Sequence, residues 1–116
     1  MNCLVIVNDA PYGSERGYNG LRLADSLAKD ETTKVSVFLM GDAASCAVAG
    51  QVTPNGYYNI ERMLKFLVSK GQNVGVCGSC MDARGIKPEA LVEGARRSSM
   101  DELTQWTREA DKVIVF

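Results

Sequence analysis

The chain has 116 residues, enough to bury a core, and its 46% hydrophobic against 23% charged residues is an ordinary globular balance. Thirteen basic and fourteen acidic side chains leave a net charge of -1, which gives no electrostatic footprint for nucleic acid and no basic block for a membrane surface. Histidine is absent, so Ser–His–Asp and Cys–His catalysis and histidine-ligated metals are excluded.

Residues 3–7, Cys-Leu-Val-Ile-Val, are a continuous apolar, β-branched run, the pattern of a strand buried on both faces. Five apolar residues are too few for a signal peptide or a spanning helix, so a cytoplasmic protein is expected. Residues 8–14 read as a loop with Pro11 and Gly13, and Ser14 as the N-cap of a helix in which Tyr18, Leu21, Ala24, Leu27 and Ala28 recur at helical spacing. Residues 34–40 give a second strand, ended by Gly41-Asp42, and residues 43–49 a short helix of small residues. Residues 51–56, with Pro54, Asn55 and Gly56, form the longest irregular segment, a surface loop with a lid or an oligomer contact as the alternatives.

Ile60, Met63, Leu64, Leu67 and Val68 mark the next amphipathic helix, closed at Lys70-Gly71 with glycine in the C′ position. Residues 73–77 are a third strand. Pro88 opens a short helix over 88–92, and residues 95–98 have room only for a very short strand. Ser99-Met-Asp-Glu102 reads as a capping box for a last helix with Met100, Leu103, Trp106 and Ala110 on one face, and residues 112–116 as a final apolar strand. Strands that alternate with helices, without a hairpin dipeptide, predict an α/β fold with a parallel sheet covered on both faces. No repeat or linker interrupts the pattern, so one domain, 1–116, is expected.

In an open doubly wound sheet, ligands bind beyond the carboxyl ends of the strands. Three loops would lie there, over residues 8–14, 41–44 and 77–84, and the third is the one that carries a nucleophile. Residues 74–85, Val-Gly-Val-Cys-Gly-Ser-Cys-Met-Asp-Ala-Arg-Gly, read as a strand running into a Cys-x-x-Cys turn, with Gly85 and Pro88 interrupting any helix. Cys77 is therefore the candidate nucleophile. The thiolate is the reactive form, and at a reference pKa of about 8.5 only a few per cent is ionised at neutral pH. Backbone N–H groups of the turn or the guanidinium of Arg84 would favour the anion; Asp82 would either orient Arg84 or oppose the thiolate. The bland alternative is that Cys77 is a small buried strand residue.

Cys80 reads as a resolving thiol, a second sulfur carrier or a turn residue. Asn8, Tyr12, Gly13, Ser14 and Asp42, on the first two loops, are candidate rim residues of the same pocket. Four cysteines without a secretory signal are expected to be reduced, with Cys3 in the core and Cys46 a packed small residue. A single Cys-x-x-Cys does not make a zinc site, and neither a P-loop nor Gly-x-Gly-x-x-Gly is present, so no metal or cofactor is expected. Trp106 is expected to fill the core under the last helix; Tyr12, Tyr57 and Tyr58 either wall a pocket or pack toward solvent.

Several of these stretches together resemble the DsrE/DsrF-like family, and most closely its small single-domain, YchN-type branch. The resemblance is carried by Asn8-Asp-Ala-Pro-Tyr-Gly-Ser-Glu15, Leu21-Arg-Leu-Ala24, Phe38-Leu-Met40 with Asp42, Tyr58-Asn-Ile60, Cys77-Gly-Ser-Cys80 followed by Asp82 and Arg84-Gly-Ile86, and Gln105-Trp-Thr107 with Ala110-Asp-Lys-Val113. It implies a three-layer, flavodoxin-like fold of about five mostly parallel strands in the order 2-1-3-4-5, assembled as a homo-oligomeric trimer or hexamer. It also implies sulfur relay, with Cys77 at the position where relatives carry a persulfide and Cys80 as the second cysteine of the motif. Asp82 and Arg84 would complete the site, and the partners would be sulfur donor and acceptor proteins, in a sulfur carrier or a sulfurtransferase subunit. The alternative is an oligomeric binding or regulatory module in which the cysteine loop is structural or a redox switch.

Overall fold

A computed structural model describes all residues, 1–116. Five strands form one parallel sheet: β1 (Asn2–Val7), β2 (Lys34–Leu39), β3 (Asn73–Cys77), β4 (Ala95–Ser98) and β5 (Lys112–Val115). Four α-helices connect them: α1 (Arg16–Leu27), α2 (Ile60–Ser69), α3 (Gly78–Ala83) and α4 (Met100–Glu109). The α/β class is as the sequence predicts. The strand order is β4-β3-β2-β1-β5 rather than 2-1-3-4-5, because β2 pairs with both β1 and β3.

That order determines where the helices lie. Three successive steps, β1 to β4, travel across the sheet in one direction, and right-handed crossovers keep α1 and α2 on one face, where they pack against each other. The last step returns from β4 to the far edge beside β1, so α4 crosses the opposite face. Strand alternation serves both sides. Val5, Val7, Val35, Val37, Leu39, Val74 and Val76 meet Leu21, Ala24, Leu64 and Leu67, while Leu4 and Phe38 meet Leu103. Trp106 lies edge-on to Phe38 at 6.2 Å and covers Gly75, where a Cβ would come within 3.0 Å of the indole.

A single helix does not cover five strands. The expectation of a sheet covered on both faces therefore holds fully on the α1/α2 side only. On the α4 side Ile6 and Met40 are half-buried, Val113 and Val115 of the edge strand are exposed, and Ser36 accepts a hydrogen bond from Asn73. A cavity of about 130 Å³ opens there at the amino ends of the strands, lined by Leu4, Ser36, Asn73 and Trp106 among others.

Four local features differ from the sequence pattern. Ser14 does not cap α1; Glu15 stands at that position and the Ser14 hydroxyl donates to Asp9. The segment after β2 is a 3₁₀ helix, Gly41–Ala47, and the turn at Pro88 is a 3₁₀ turn of three residues, Pro88–Ala90. Half of the capping box forms: Ser99 accepts the N–H of Glu102, but the Glu102 carboxylate turns to Arg96 and Ser98 instead of reaching back. α2 is capped by Asn59, which accepts from the N–H of Arg62, and Gly71 follows it at φ 73°.

One group in the scaffold is left unsatisfied. Asp25 shares a stripe of α1 with Leu21 and Ala28, its Oδ1 has no hydrogen-bond partner, and burial pushes its pKa up to about 7. The folded state then holds a proton that the unfolded chain releases near 3.8, so stability falls as pH rises from about 4 to about 7. Asp25→Asn is expected to flatten that decline and to add on the order of 1 kcal/mol at pH 8, discounted for partial exposure. Urea midpoints at pH 5 and pH 8 measure it; identical pH profiles for both proteins would contradict it.

Candidate functional site

β3 runs directly into α3, and Cys77 is the junction. Its backbone is extended on one side and caps a helix on the other, so the motif opens a helical turn rather than the non-helical loop expected from Gly85 and Pro88. The helix is short because Gly85 and Pro88 do end it. A chain that passes from strand to helix leaves the first N–H groups of the helix without carbonyl partners. Here the N–H groups of Ser79 and Cys80 favour the charged form of Cys77 without closing a side-chain cap on its sulfur.

Cys77 is 7% exposed and packs in the smaller core with Leu4, Phe38 and Leu103. Burial pushes its thiol up, but hydrogen bonds outweigh burial: the Cys80 thiol, the Ser79 hydroxyl at 3.3 Å and the N–H groups of Cys80 and Ser79 hold it below the ordinary value. Cys80 moves the other way. Its hydrogen bond to Cys77 and then its burial raise it, against the N–H of Gly41, which donates to the Cys80 sulfur at 3.1 Å. The surroundings therefore push the two thiols in opposite directions, Cys77 down and Cys80 up. Both are free.

The charged residues pair differently from either sequence reading. Asp82 does not orient Arg84; it accepts two hydrogen bonds from Arg97 of β4, at 2.8 and 3.0 Å. Arg84 donates to Asp42 at 2.7 Å and to the carbonyl of Cys80 at 3.1 Å, which ties α3 to the 3₁₀ segment after β2. With Gly41 on the Cys80 sulfur, two contacts join the second and third loops.

The five rim candidates divide. Tyr12, Gly13, Ser14 and Asp42, with Asp9 and Ala10, line a cavity of about 310 Å³ at the carboxyl ends of β1 and β2, and no cysteine lines it. Asn8 is elsewhere, holding the carbonyl of Phe116 by both its amide and its backbone N–H. Tyr12 also ties loops together, donating to Gln51 at 2.6 Å and accepting from the N–H of Ile60. Tyr58 stacks between Tyr18 at 4.2 Å and Tyr57 at 4.5 Å, so the tyrosines form a continuous aromatic layer beside that cavity wall. Cys3 is buried at the start of β1, and Cys46 lies in the larger core with its pKa pushed up to about 12 by burial. No group of three or more cysteine and carboxylate side chains is arranged to hold a metal ion.

Sequence reasoning missed Ser79, Gly41 and Arg97. Ser79 is an interior residue of the motif, and its hydroxyl spacing to Cys77 was legible once a helical turn replaced a loop. Arg97 was signalled by the strand pairing: Cys77 stands beside Ser98, so the residue before it is carried next to α3.

The chain belongs to the DsrE/DsrF-like family, whose model matches residues 1–116. It is 41% identical over 114 residues to Protein YchN of Escherichia coli K12, covering 97% of each chain. It is 39% identical over 116 residues to the uncharacterized protein MJ0989 of Methanocaldococcus jannaschii, covering all of both. The crystal structure of ychN protein from E. coli superimposes with a TM-score of 0.91 at 42% identity, with full coverage of both chains.

The hydrogen bonds to Cys77 give a direct expectation. Ser79→Ala, at an exposed position, should leave stability within about 0.5 kcal/mol and shift the pH midpoint of Cys77 alkylation upward. Peptide-resolved iodoacetamide labelling against pH measures this, and an unmoved or lowered midpoint would contradict it.

Proposed function

We propose that this protein is a sulfur-relay carrier in which Cys77 takes up a sulfane sulfur as a persulfide and Cys80 is the auxiliary thiol. The observation that supports it best is the placement of Cys77 at the junction of β3 and α3, with the Ser79 hydroxyl 3.3 Å from its sulfur and a second thiol, Cys80, one helical turn on with the N–H of Gly41 on its sulfur at 3.1 Å. The uptake step exchanges one S–S bond for another. The Cys77 thiolate attacks the outer sulfur of a donor persulfide, R–S–SH; the donor S–S bond breaks, R–S⁻ leaves with the electron pair, and Cys77–S–SH remains. An acceptor thiolate reverses the same exchange, with no net oxidation. Where Cys80 instead attacks the inner sulfur, HS⁻ leaves and a Cys77–Cys80 disulfide forms, which a dithiol reductant must reopen.

Within this reading the protein works in the cytoplasm with a donor and an acceptor protein, as a homo-oligomer, trimer or hexamer. No helix is long and apolar enough to cross a membrane. The exposed Val113 and Val115, in register with Leu4 and Ile6, support a subunit contact on the α4 face, the face to which Cys77 points. The same apolar face favours the second reading, an oligomeric binding or regulatory module whose cysteines serve structure or a redox switch.

Incubation with a small-molecule persulfide donor followed by peptide mass spectrometry separates the two. The relay predicts one added sulfur atom on Cys77, lost in Cys77→Ser without change in the sedimentation of the assembly, and longer-lived in Cys80→Ser. Absence of the adduct on Cys77, with assembly lost in Cys77→Ser, would favour the binding module.

A further inference from the structure

Arg97 lies on β4, a polar four-residue edge strand, and is exposed, yet its guanidinium is fixed by specific partners. It donates two hydrogen bonds to Asp82, at 2.8 and 3.0 Å. Its other contact is Gly78, the residue after Cys77: a Cβ there would come within 2.9 Å of Cζ, Nε and Nη2 of Arg97. Gly78 is buried and has an ordinary helical backbone, so neither turn geometry nor a positive φ accounts for glycine at that place. The space it leaves is occupied by the guanidinium.

We propose that Arg97 is a positioning residue for Cys77: pinned by Asp82 and admitted by the bare face of Gly78, it sets a fixed positive charge against the first turn of α3 and neutralises the carboxylate that would otherwise oppose the thiolate. This inference rests on the reading of Cys77 as the reactive thiol. It assigns Asp82 a role different from either sequence alternative, since the carboxylate neither orients Arg84 nor stands free to repel the sulfur. The charged groups around Cys77 are otherwise committed elsewhere: Arg84 to Asp42, and Arg96 to Glu102. A charged Cys77 also favours the charged form of Arg97, after the hydrogen bond and charge of Asp82. The pair is half-exposed, at 44% and 66% for the two side chains, so water screens it and the effect is modest.

The test is the pH dependence of Cys77 alkylation, resolved by peptide, in the full chain. Arg97→Gln should raise the midpoint by roughly half a pH unit, which slows labelling about threefold at neutral pH. Arg97→Lys, which keeps the charge but not the two-pronged grip, should recover part of the shift. Gly78→Ala keeps every charge and favours the helix, yet displaces the guanidinium, and should move the midpoint in the same direction as Arg97→Gln. Adding Asp82→Asn to Arg97→Gln should bring the midpoint back toward wild type, since the unpaired carboxylate is then gone. Far-ultraviolet circular dichroism confirms that each variant is folded, and Gly78→Ala and Arg97→Lys serve if Arg97→Gln is not. Wild-type midpoints in folded Arg97→Gln and Gly78→Ala would overturn the role of Arg97 while leaving the relay standing. A wild-type Cys77 that ionises no earlier than Cys80 would overturn both.

Discussion

A backbone that leaves a strand and turns at once into a helix has N–H groups to spare, and at residues 77–80 they favour the charged form of the sulfur set at that turn. Everything distinctive about this protein follows from that junction. The sulfur lies among apolar side chains, where an anion is unfavourable, and directed donors more than compensate for the loss of water. Cys80, one helical turn on, gives its proton to the arrangement and so becomes the weaker acid of the pair. Two thiols of identical chemistry are thereby pushed in opposite directions by position alone.

The sheet makes the junction usable. Because the strands from β1 to β4 march in one direction, α1 and α2 sit on one side, and the return stroke to β5 leaves α4 alone on the other. Cys77 points to that thinly covered side, beneath Leu103 and beside the half-buried Met40 and Ile6. The same arrangement sets Gly41 against the Cys80 sulfur and Asp42 against Arg84, so that the ends of β2 and β3 hold the motif between them.

Much of this was legible in the residues. The span of β3 and the start of α2 follow from an apolar run and from helical spacing, because those signals are local, while β4 was placed only by the room left for a very short strand. Strand order was not, since it depends on which neighbours pair across tens of residues: β2 could join β3 through Ser36–Asn73 only because α2 packs beside α1. Gly85 and Pro88 were correctly read as helix stops, but a stop does not forbid the six residues before it from forming a turn and a half. The charged pairs were the least accessible. Asp82 has a basic neighbour two residues away in sequence, and its partner is fifteen residues away, brought in by an edge strand too short and polar to advertise itself.

The account depends on the order in which two thiols lose their protons. Competitive labelling of Cys77 and Cys80 in the same molecules, with isotopically distinct alkylating agents across pH, reads that order directly. Cys77 should be labelled ahead of Cys80 throughout the range below the ordinary thiol pKa, and blocking Cys77 should lower the midpoint of Cys80 by removing the hydrogen bond it donates. Cys80 labelled first, or the two titrating together, would contradict it.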